Sequence, residues 1–345
     1  MRPSARVIAA TGVVAALILA GCTNAPAPRE TVTHTPEATE SADLPEGTPL
    51  ELAVGDCLAG SVDSGNGSQD ADLTAVASCN DASWYLVVGI EPLDEMFLPE
   101  ADATEEDYTA AYESIKYDTG EGREAFKVWS RIMCNADALI GAGLADVAVP
   151  GGTALDVEAR PMGNFYIDAT VSSVDNWLAG DAVVVCSLGW QTPEGNPAEL
   201  TTQKTVDLAT YTTDAWPSQL RRCGAIVDGV YGHGSCDTAH WVELGIELDP
   251  WQVLGEDARA SFNGNNLDDL AALDPFCDAF TQSLMGPEAD TDFYEGFVVD
   301  YFVRDADSLP GSVVCGYTIS GSSTLDVVGS IIGIGAGVPD TVPFA

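Results

Sequence analysis

Cations and histidines are the scarce residues of this 345-residue chain, which has 13 Lys and Arg and three His against 54 Asp and Glu. A formal net charge of -41 leaves too few cations to neutralise a phosphate backbone, so nucleic acid is excluded as the main partner. The scarcity of His bears on catalysis, because Ser-His-Asp and Cys-His sites need an oriented imidazole. His34 lies in a polar, Pro- and Thr-rich stretch, which leaves His233 and His240. Neither stands in an HExxH spacing and no cysteines stand as CxxC, so a catalytic zinc, a zinc ribbon and a thioredoxin-like site are not expected. His240 reads as a strand-start residue making a structural hydrogen bond, and His233, within Tyr231-Gly232-His233-Gly234, as a turn residue. A P-loop, a dinucleotide fingerprint and a basic stripe with interleaved aromatics are also missing. No catalytic residue, metal ligand or cofactor is assigned.

What is present starts with an export signal. Arg2 and Arg6 precede an apolar run from Val7 to Leu19, too short to span a bilayer. The run ends in Leu19-Ala20-Gly21-Cys22, which resembles the bacterial lipobox and makes Cys22 the expected lipidation site. A lipidated Cys22 needs no transmembrane helix to hold the membrane, since each buried methylene contributes about 0.8 kcal/mol. The expected location is the outer face of the cytoplasmic membrane, with residues 1–21 removed and 22–49 acting as a tether. Hydrophobic residues make up 46% of the chain, enough to build a folded core beyond that tether.

The remaining eight cysteines reveal an internal duplication. Ser78-Cys79-Asn80-Asp81-Ala82-Ser83-Trp84 precedes an apolar run containing Gly89, and Ser235-Cys236-Asp237-Thr238-Ala239-His240-Trp241 precedes one containing Gly245. Asn164-Phe165-Tyr166 stands before Cys186 as Asp292-Phe293-Tyr294 stands before Cys315. Two modules are expected, 50–192 and 218–320, with a polar connector at 193–217 and a Gly-rich tail at 321–345. Bridges confined within each copy and alike in both leave three arrangements. The sequential one is favoured, because the first two cysteines flank a loop between neighbouring strands and the third lies on a helix covering the sheet that holds the fourth. It pairs Cys57 with Cys79, Cys134 with Cys186, Cys223 with Cys236, and Cys277 with Cys315.

Periodicity predicts an α+β fold, each copy a small, mostly antiparallel sheet covered by a helix. The first helix is expected near Gly122 to Leu144 with Phe126, Trp129, Met133, Ala136 and Ile140 on its buried face. The second runs from an Asp274 cap and Pro275 to Gly286-Pro287, with Leu270, Leu273, Cys277, Phe280 and Leu284 on one stripe. Strands are expected at Trp84 to Ile90, Ala182 to Trp190, Trp241 to Leu248 and Gly296 to Val303.

Gly55-Asp56-Cys57, Ser235-Cys236 followed by His240, the lone helical Cys134, and Trp177-Leu178-Ala179-Gly180-Asp181 leading to Cys186 together resemble the actinobacterial septum formation domain. The first copy has Ser83 in place of the motif histidine, and the second has Arg222 before Cys223 and Ser308-Leu309-Pro310-Gly311 in place of the Trp-containing turn. The resemblance implies a membrane-attached envelope protein connected with cell division, and no established reaction.

One asymmetry separates the copies. Glu91 to Glu121 carries 11 acidic residues and one Lys, and the interval from Cys79 to Cys134 is 14 residues longer than that from Cys236 to Cys277. Glu91, Asp94, Glu95, Glu105, Glu106 and Asp107 are candidates for docking a basic partner, or for a merely solvated face. Glu288 to Glu295 and the Gly- and Asn-rich segment Asp63 to Asp72 offer oxygen ligands to calcium, though the first lacks the glycine of a calcium loop. The expected function is a non-enzymatic interaction module in envelope or division processes, with an unidentified partner. The alternatives are a carboxylate-based cell-wall hydrolase and a cation- or small-ligand-binding lipoprotein.

Overall fold

Strand formation follows the apolar runs, and the disulfides fix how the strands are covered. The computed structural model describes residues 47–58, 73–74, 76–79, 83–100, 102–116, 120–192, 206–227, 230–234, 236–264, 266–303, 310–320 and 325–343. The signal, Cys22, the tether up to residue 46, His34 and the segment from Asp63 to Asp72 lie outside the described residues. Among the described residues no helix is long and apolar enough to cross a membrane.

The first half begins with β1 (Cys57–Leu58), β2 (Val76–Ala77) and β3 (Tyr85–Pro92), followed by a 3-10 turn (Glu95–Phe97), α1 (Glu105–Lys116) and α2 (Glu121–Gly141). Two short strands, β4 (Ala148–Val149) and β5 (Gly152–Thr153), pair with each other and lead to β6 (Arg160–Pro161). Then come β7 (Phe165–Val171), α3 (Val174–Leu178) and β8 (Val183–Trp190). The antiparallel sheet runs β2-β1-β3-β8-β7, with β7 at its edge.

The second half runs through β9 (Arg222–Val227), β10 (Val230–Gly234) and β11 (Val242–Leu248), then the short helices α4 (Trp251–Leu254), α5 (Glu256–Ser261), α6 (Leu267–Ala271), α7 (Asp274–Asp278) and α8 (Thr281–Met285). It continues with β12 (Tyr294–Val303), β13 (Pro310–Ile319), β14 (Leu325–Val328) and β15 (Asp340–Pro343). The sheet path is β10-β9-β11-β13-β12, again antiparallel. Counting only the five strands of each path in chain order, both paths read second, first, third, fifth, fourth. Both third strands also break register at the glycine of their apolar run, between Val87 and Gly89 in β3 and between Leu244 and Ile246 in β11. Gly89 has to be small, because a Cβ there would lie 1.8 Å from Asp137 Oδ2.

The fold is α+β, and its four disulfides join Cys57 to Cys79, Cys134 to Cys186, Cys223 to Cys236 and Cys277 to Cys315. Cys134 and Cys277 carry their helices onto the sheets at Cys186 and Cys315, and all four of these sulfur-bearing residues are fully buried.

Several details differ from the sequence expectation. The buried face of α2 is turned toward Phe126, Ser130, Cys134, Ala138 and Leu139, while Ile140 is 44% exposed, because the Cys134 bridge sets the rotation of the helix. The single helix expected from Asp274 to Gly286 is two short ones, α7 and α8, and Leu270 of the expected stripe lies on a separate helix, α6. Asp274 is not a cap there: Leu273 occupies the cap position, and the Asp274 carboxylate bonds to β12 instead. His233 lies within β10 rather than in a turn.

The connector is not polar where it is described, since Val206, Leu208, Tyr211 and Trp216 are buried. They lie in one hydrophobic cluster with Cys134 and Cys186 of the first half and Cys277 and Cys315 of the second. The Gly-rich tail also packs inward: Val327, Ile331 and Ile332 are buried, and the N–H groups of Gly333 and Gly335 donate to the terminal carbonyls of α8 at Leu284 and Met285. Strand pairing adds a further link, because β6 hydrogen-bonds to β11. The described residues from 47 to 343 accordingly belong to one compact unit.

Candidate functional site

The acidic interval folds inward before it presents anything to solvent. Leu93, Phe97 and Ile115 from this interval pack with Phe126, Val171, Trp177 and Val184 in a small second core. Phe97 stacks edge-on to Phe126 at 5.7 Å, and Tyr112 to Trp177 at 5.6 Å. Glu91 lies half-buried next to the end of β3, while Asp94 accepts the Met96 N–H at 2.9 Å and so caps the 3-10 turn. Glu105, Glu106 and Asp107 stand exposed in the first turn of α1, where negative charge complements the helix dipole. The backbone and hydroxyl of Thr104 both donate to Asp107 and hold its pKa below the usual carboxylate value. Apart from half-buried Glu91 these residues spread over an exposed surface, and none of the six lines the cleft between α1, α2 and β7.

What the interval does build is one wall of a cleft. The space between the end of α1, one side of α2 and the strand β7 measures about 360 Å³, with Ile115, Phe126 and Cys134 among its lining residues. Lys116, Arg123, Lys127 and Arg131 also line it, together with residues 167–171 of β7, including Asp168. Four of the 13 basic residues of the chain thus meet at one cleft, against a single carboxylate in its lining. Arg123, Lys127 and Arg131 recur every four residues on α2, which puts them on one side of the helix. Lys116 complements the C-terminal dipole of α1 and donates to Tyr112 Oη at 2.8 Å, and Arg123 donates to the Lys116 carbonyl. Lys127 pairs with Glu124 at 2.6 Å on an exposed face, where such a pair is weak. Sequence reading missed this patch because it followed the dominant charge; the four-residue spacing of three cations in an acidic chain was the signal available.

The edge strand has a defined polarity. Ser172 N–H donates to Val183 O, and Gln191 N–H donates to Asn164 O, so even-numbered positions of the strand face β8. In an antiparallel ladder the alternate residues then turn their N–H and C=O groups away from the partner. Ile167 and Ala169 therefore present backbone groups to the outer edge, and among the described residues no acceptor for their N–H groups is recorded.

The second half treats the same edge differently. Ala169 pairs with Cys186 across its sheet as Val298 pairs with Cys315, and Ile167 with Leu188 as Gly296 with Tyr317. There the outward N–H of Val298 donates to Asp274 Oδ1 at 2.9 Å, and that of Gly296 to Asp278 Oδ1 at 3.0 Å. Asp274 lies three residues before Cys277 and Asp278 one after it; the matching positions around Cys134 are Arg131 and Asn135. Burial raises the Asp274 pKa, with Asp278 adding to the rise and the Val298 bond opposing it. Thus α7 clasps its edge strand with two carboxylates, and α2 carries a cation and an amide at those places.

A second polar constellation is structural. Glu243 on β11 is fully buried, lies 3.8 Å from Arg221 Nε, and accepts from Ser330 Oγ at 2.8 Å and from the N–H groups of Ile331 and Ile332 at 2.7 and 3.2 Å. Arg221 sits 5.0 Å from the centre of the Tyr211 ring, and Tyr211 Oη donates toward Gly245 O at 2.6 Å. Burial pushes the Tyr211 pKa up, aided by Glu243 and opposed by Arg221, and lowers that of Arg221. The network ties connector, second sheet and tail together without opening to solvent.

Cys223, Cys236, His240 and Glu243 converge within 4.8 Å, a spacing that suits a metal. Both sulfurs are spent in a disulfide, however, and a bonded sulfur offers no thiolate. His240 is buried, exchanges backbone hydrogen bonds with Val327 and directs Nδ1 at Thr238 O, 2.8 Å away. Ser83, its counterpart, accepts from Trp190 Nε1 at 3.4 Å. In Glu288 to Glu295, Asp290 accepts from the Asp292 N–H at 3.2 Å, capping a 3-10 turn. Compared with protein-family models, with curated proteins and with solved structures, the chain matches none.

Proposed function

We propose that the protein is a lipid-anchored, extracytoplasmic, non-enzymatic docking protein of the septum formation kind, acting in envelope or division processes. Cys22 holds it to the outer face of the cytoplasmic membrane, and the first half carries the contact with a partner protein. The single observation that supports this most is the cationic cleft along the outer edge of β7, whose counterpart in the second half is clasped by Asp274 and Asp278. A duplicated scaffold that closes one edge and leaves the other open suits binding better than turnover. The acidic candidates of the sequence reading point to a basic partner; the cleft selects an acidic segment, and it has both an open groove and a backbone edge to hold one.

The test is in-cell photo-crosslinking with a photoreactive residue replacing Thr170 at the cleft, and another replacing Asp292 on the second half as control. The reading expects an envelope protein joined through position 170, absent from the control and diminished by Cys22→Ser. Equal labelling at both positions, or none at either, would count against it.

A further inference from the structure

We propose that the outer edge of β7 binds an extended peptide segment, added antiparallel as a further strand, with an acidic side chain at every second residue. This deepens the docking reading above and rests on it for the place of the contact. The backbone supplies the first argument. Ile167 and Ala169 offer outward N–H and C=O groups at the two-residue repeat that an added strand requires, and every pairing already in this sheet is antiparallel.

The second argument is the contrast within the molecule. At the same register the other sheet satisfies its outward N–H groups internally, through Asp274 and Asp278. A carboxylate is thus a group that already fits this edge, and the first half, with Arg131 and Asn135 in those places, leaves that role to a ligand.

Charge complementarity supplies the third. Lys116, Arg123, Lys127 and Arg131 line the cleft on the side of α1 and α2, in a chain of net charge -41, so an acidic side chain gains there what it would lose elsewhere on the surface.

The geometry specifies which ligand atoms matter. Ile167 and Ala169 pack toward the cluster that contains Cys134 of α2, so their side chains point to the helix side of the sheet. In an antiparallel pair, residues directly opposite share a face, and those opposite positions whose N–H and C=O turn toward the partner, as Ile167 and Ala169 do, exchange both hydrogen bonds. The ligand residues whose side chains reach the α2 cations are therefore the ones whose N–H groups bond to β7.

The experiment uses detergent-solubilised full-length protein and a fluorescent peptide of alternating glutamate and valine. Two further versions carry N-methyl groups either on every glutamate or on every valine. Methylation at glutamate removes the N–H groups that face β7 and should weaken binding about ten-fold or more, whereas methylation at valine should leave it within about two-fold. Arg131→Asp combined with Asn135→Asp, which copies the clasp of the second half, should abolish binding while the four disulfides remain. Equal affinity of the two methylated peptides, or no binding of the parent peptide, would overturn the proposal. Because the peptides are changed and not the protein, that result holds even where a variant folds poorly. Insensitivity to methylation alongside a crosslinked partner at position 170 would sink strand addition and leave the docking reading standing. A methylation-sensitive peptide without any such partner would do the reverse.

Discussion

The two halves share strand order, bulge and bridge positions, and differ in how they finish an edge. In the second half, α7 spends two carboxylates on the N–H groups of Gly296 and Val298. In the first, the acidic interval adds α1 and a second small core, and the edge at Ile167 and Ala169 runs beside cations. An exposed strand edge is a liability that proteins cover or charge, and the edge left open next to the cleft is the one the docking proposal puts to use. On the docking proposal above, one half serves as closed scaffold and the other as the working face.

The largest expected effect tests what is peculiar to the closed half. Arg221→Ala leaves Glu243 buried without its cation and should cost about 3–5 kcal/mol, measured by urea unfolding. No equivalent pair is found in the first half among the described residues, so a loss below about 1 kcal/mol would mean that the backbone donors at Ile331 and Ile332 suffice. Next come the bridges, which should behave alike. Replacing Cys134 and Cys186 by Ala, or Cys277 and Cys315, opens loops of 52 and 38 residues and should cost about 4 kcal/mol in each case. Since both bridges enter one core, each variant should still unfold in a single transition by circular dichroism.

Smaller changes address the edge itself. Asp274→Ala with Asp278→Ala removes the clasp and should cost about 1–2 kcal/mol, because Asp278 is exposed and its bond is screened. Asp274 also gives a pH signature. Burial raises its folded pKa above 3.8, so its contribution is complete below the unfolded value and is lost as pH rises through the folded one. Asp274→Asn should flatten the decline of stability that starts near pH 4, and an unchanged pH profile would show the carboxylate to be solvated. Lys127→Ala, which breaks only the exposed pair with Glu124, should change stability by about 0.5 kcal/mol or less.

The hairpin bridges, the principal strands and the mixed fold class were legible because each is written locally: cysteines flank hairpins, and apolar runs mark buried strands; the two helix-to-sheet bridges were legible because both copies repeat the same cysteine order. The rotation of α2 was not, since Phe126, Trp129, Met133, Ala136 and Ile140 make an equally good stripe until Cys134 is tied to Cys186. Nor was the break at Asp274, whose carboxylate meets β12, 24 residues away. Connector and tail misled through composition, because Tyr211, Trp216, Ile331 and Ile332 are few among polar and glycine neighbours and yet fill the core. The site was hidden for the same reason. Arg131 and Ala169 are joined only by tertiary packing, and the contrast that gives them meaning lies in Asp274 and Val298.

Amide hydrogen exchange, resolved residue by residue with NMR, tests the difference between the two edges most directly. In the free protein the Gly296 and Val298 amides should exchange slowly and those of Ile167 and Ala169 quickly. The alternating glutamate–valine peptide should then protect Ile167 and Ala169 alone. Four amides equally protected in the free protein, or Ile167 and Ala169 unchanged when the peptide is bound, would contradict the account.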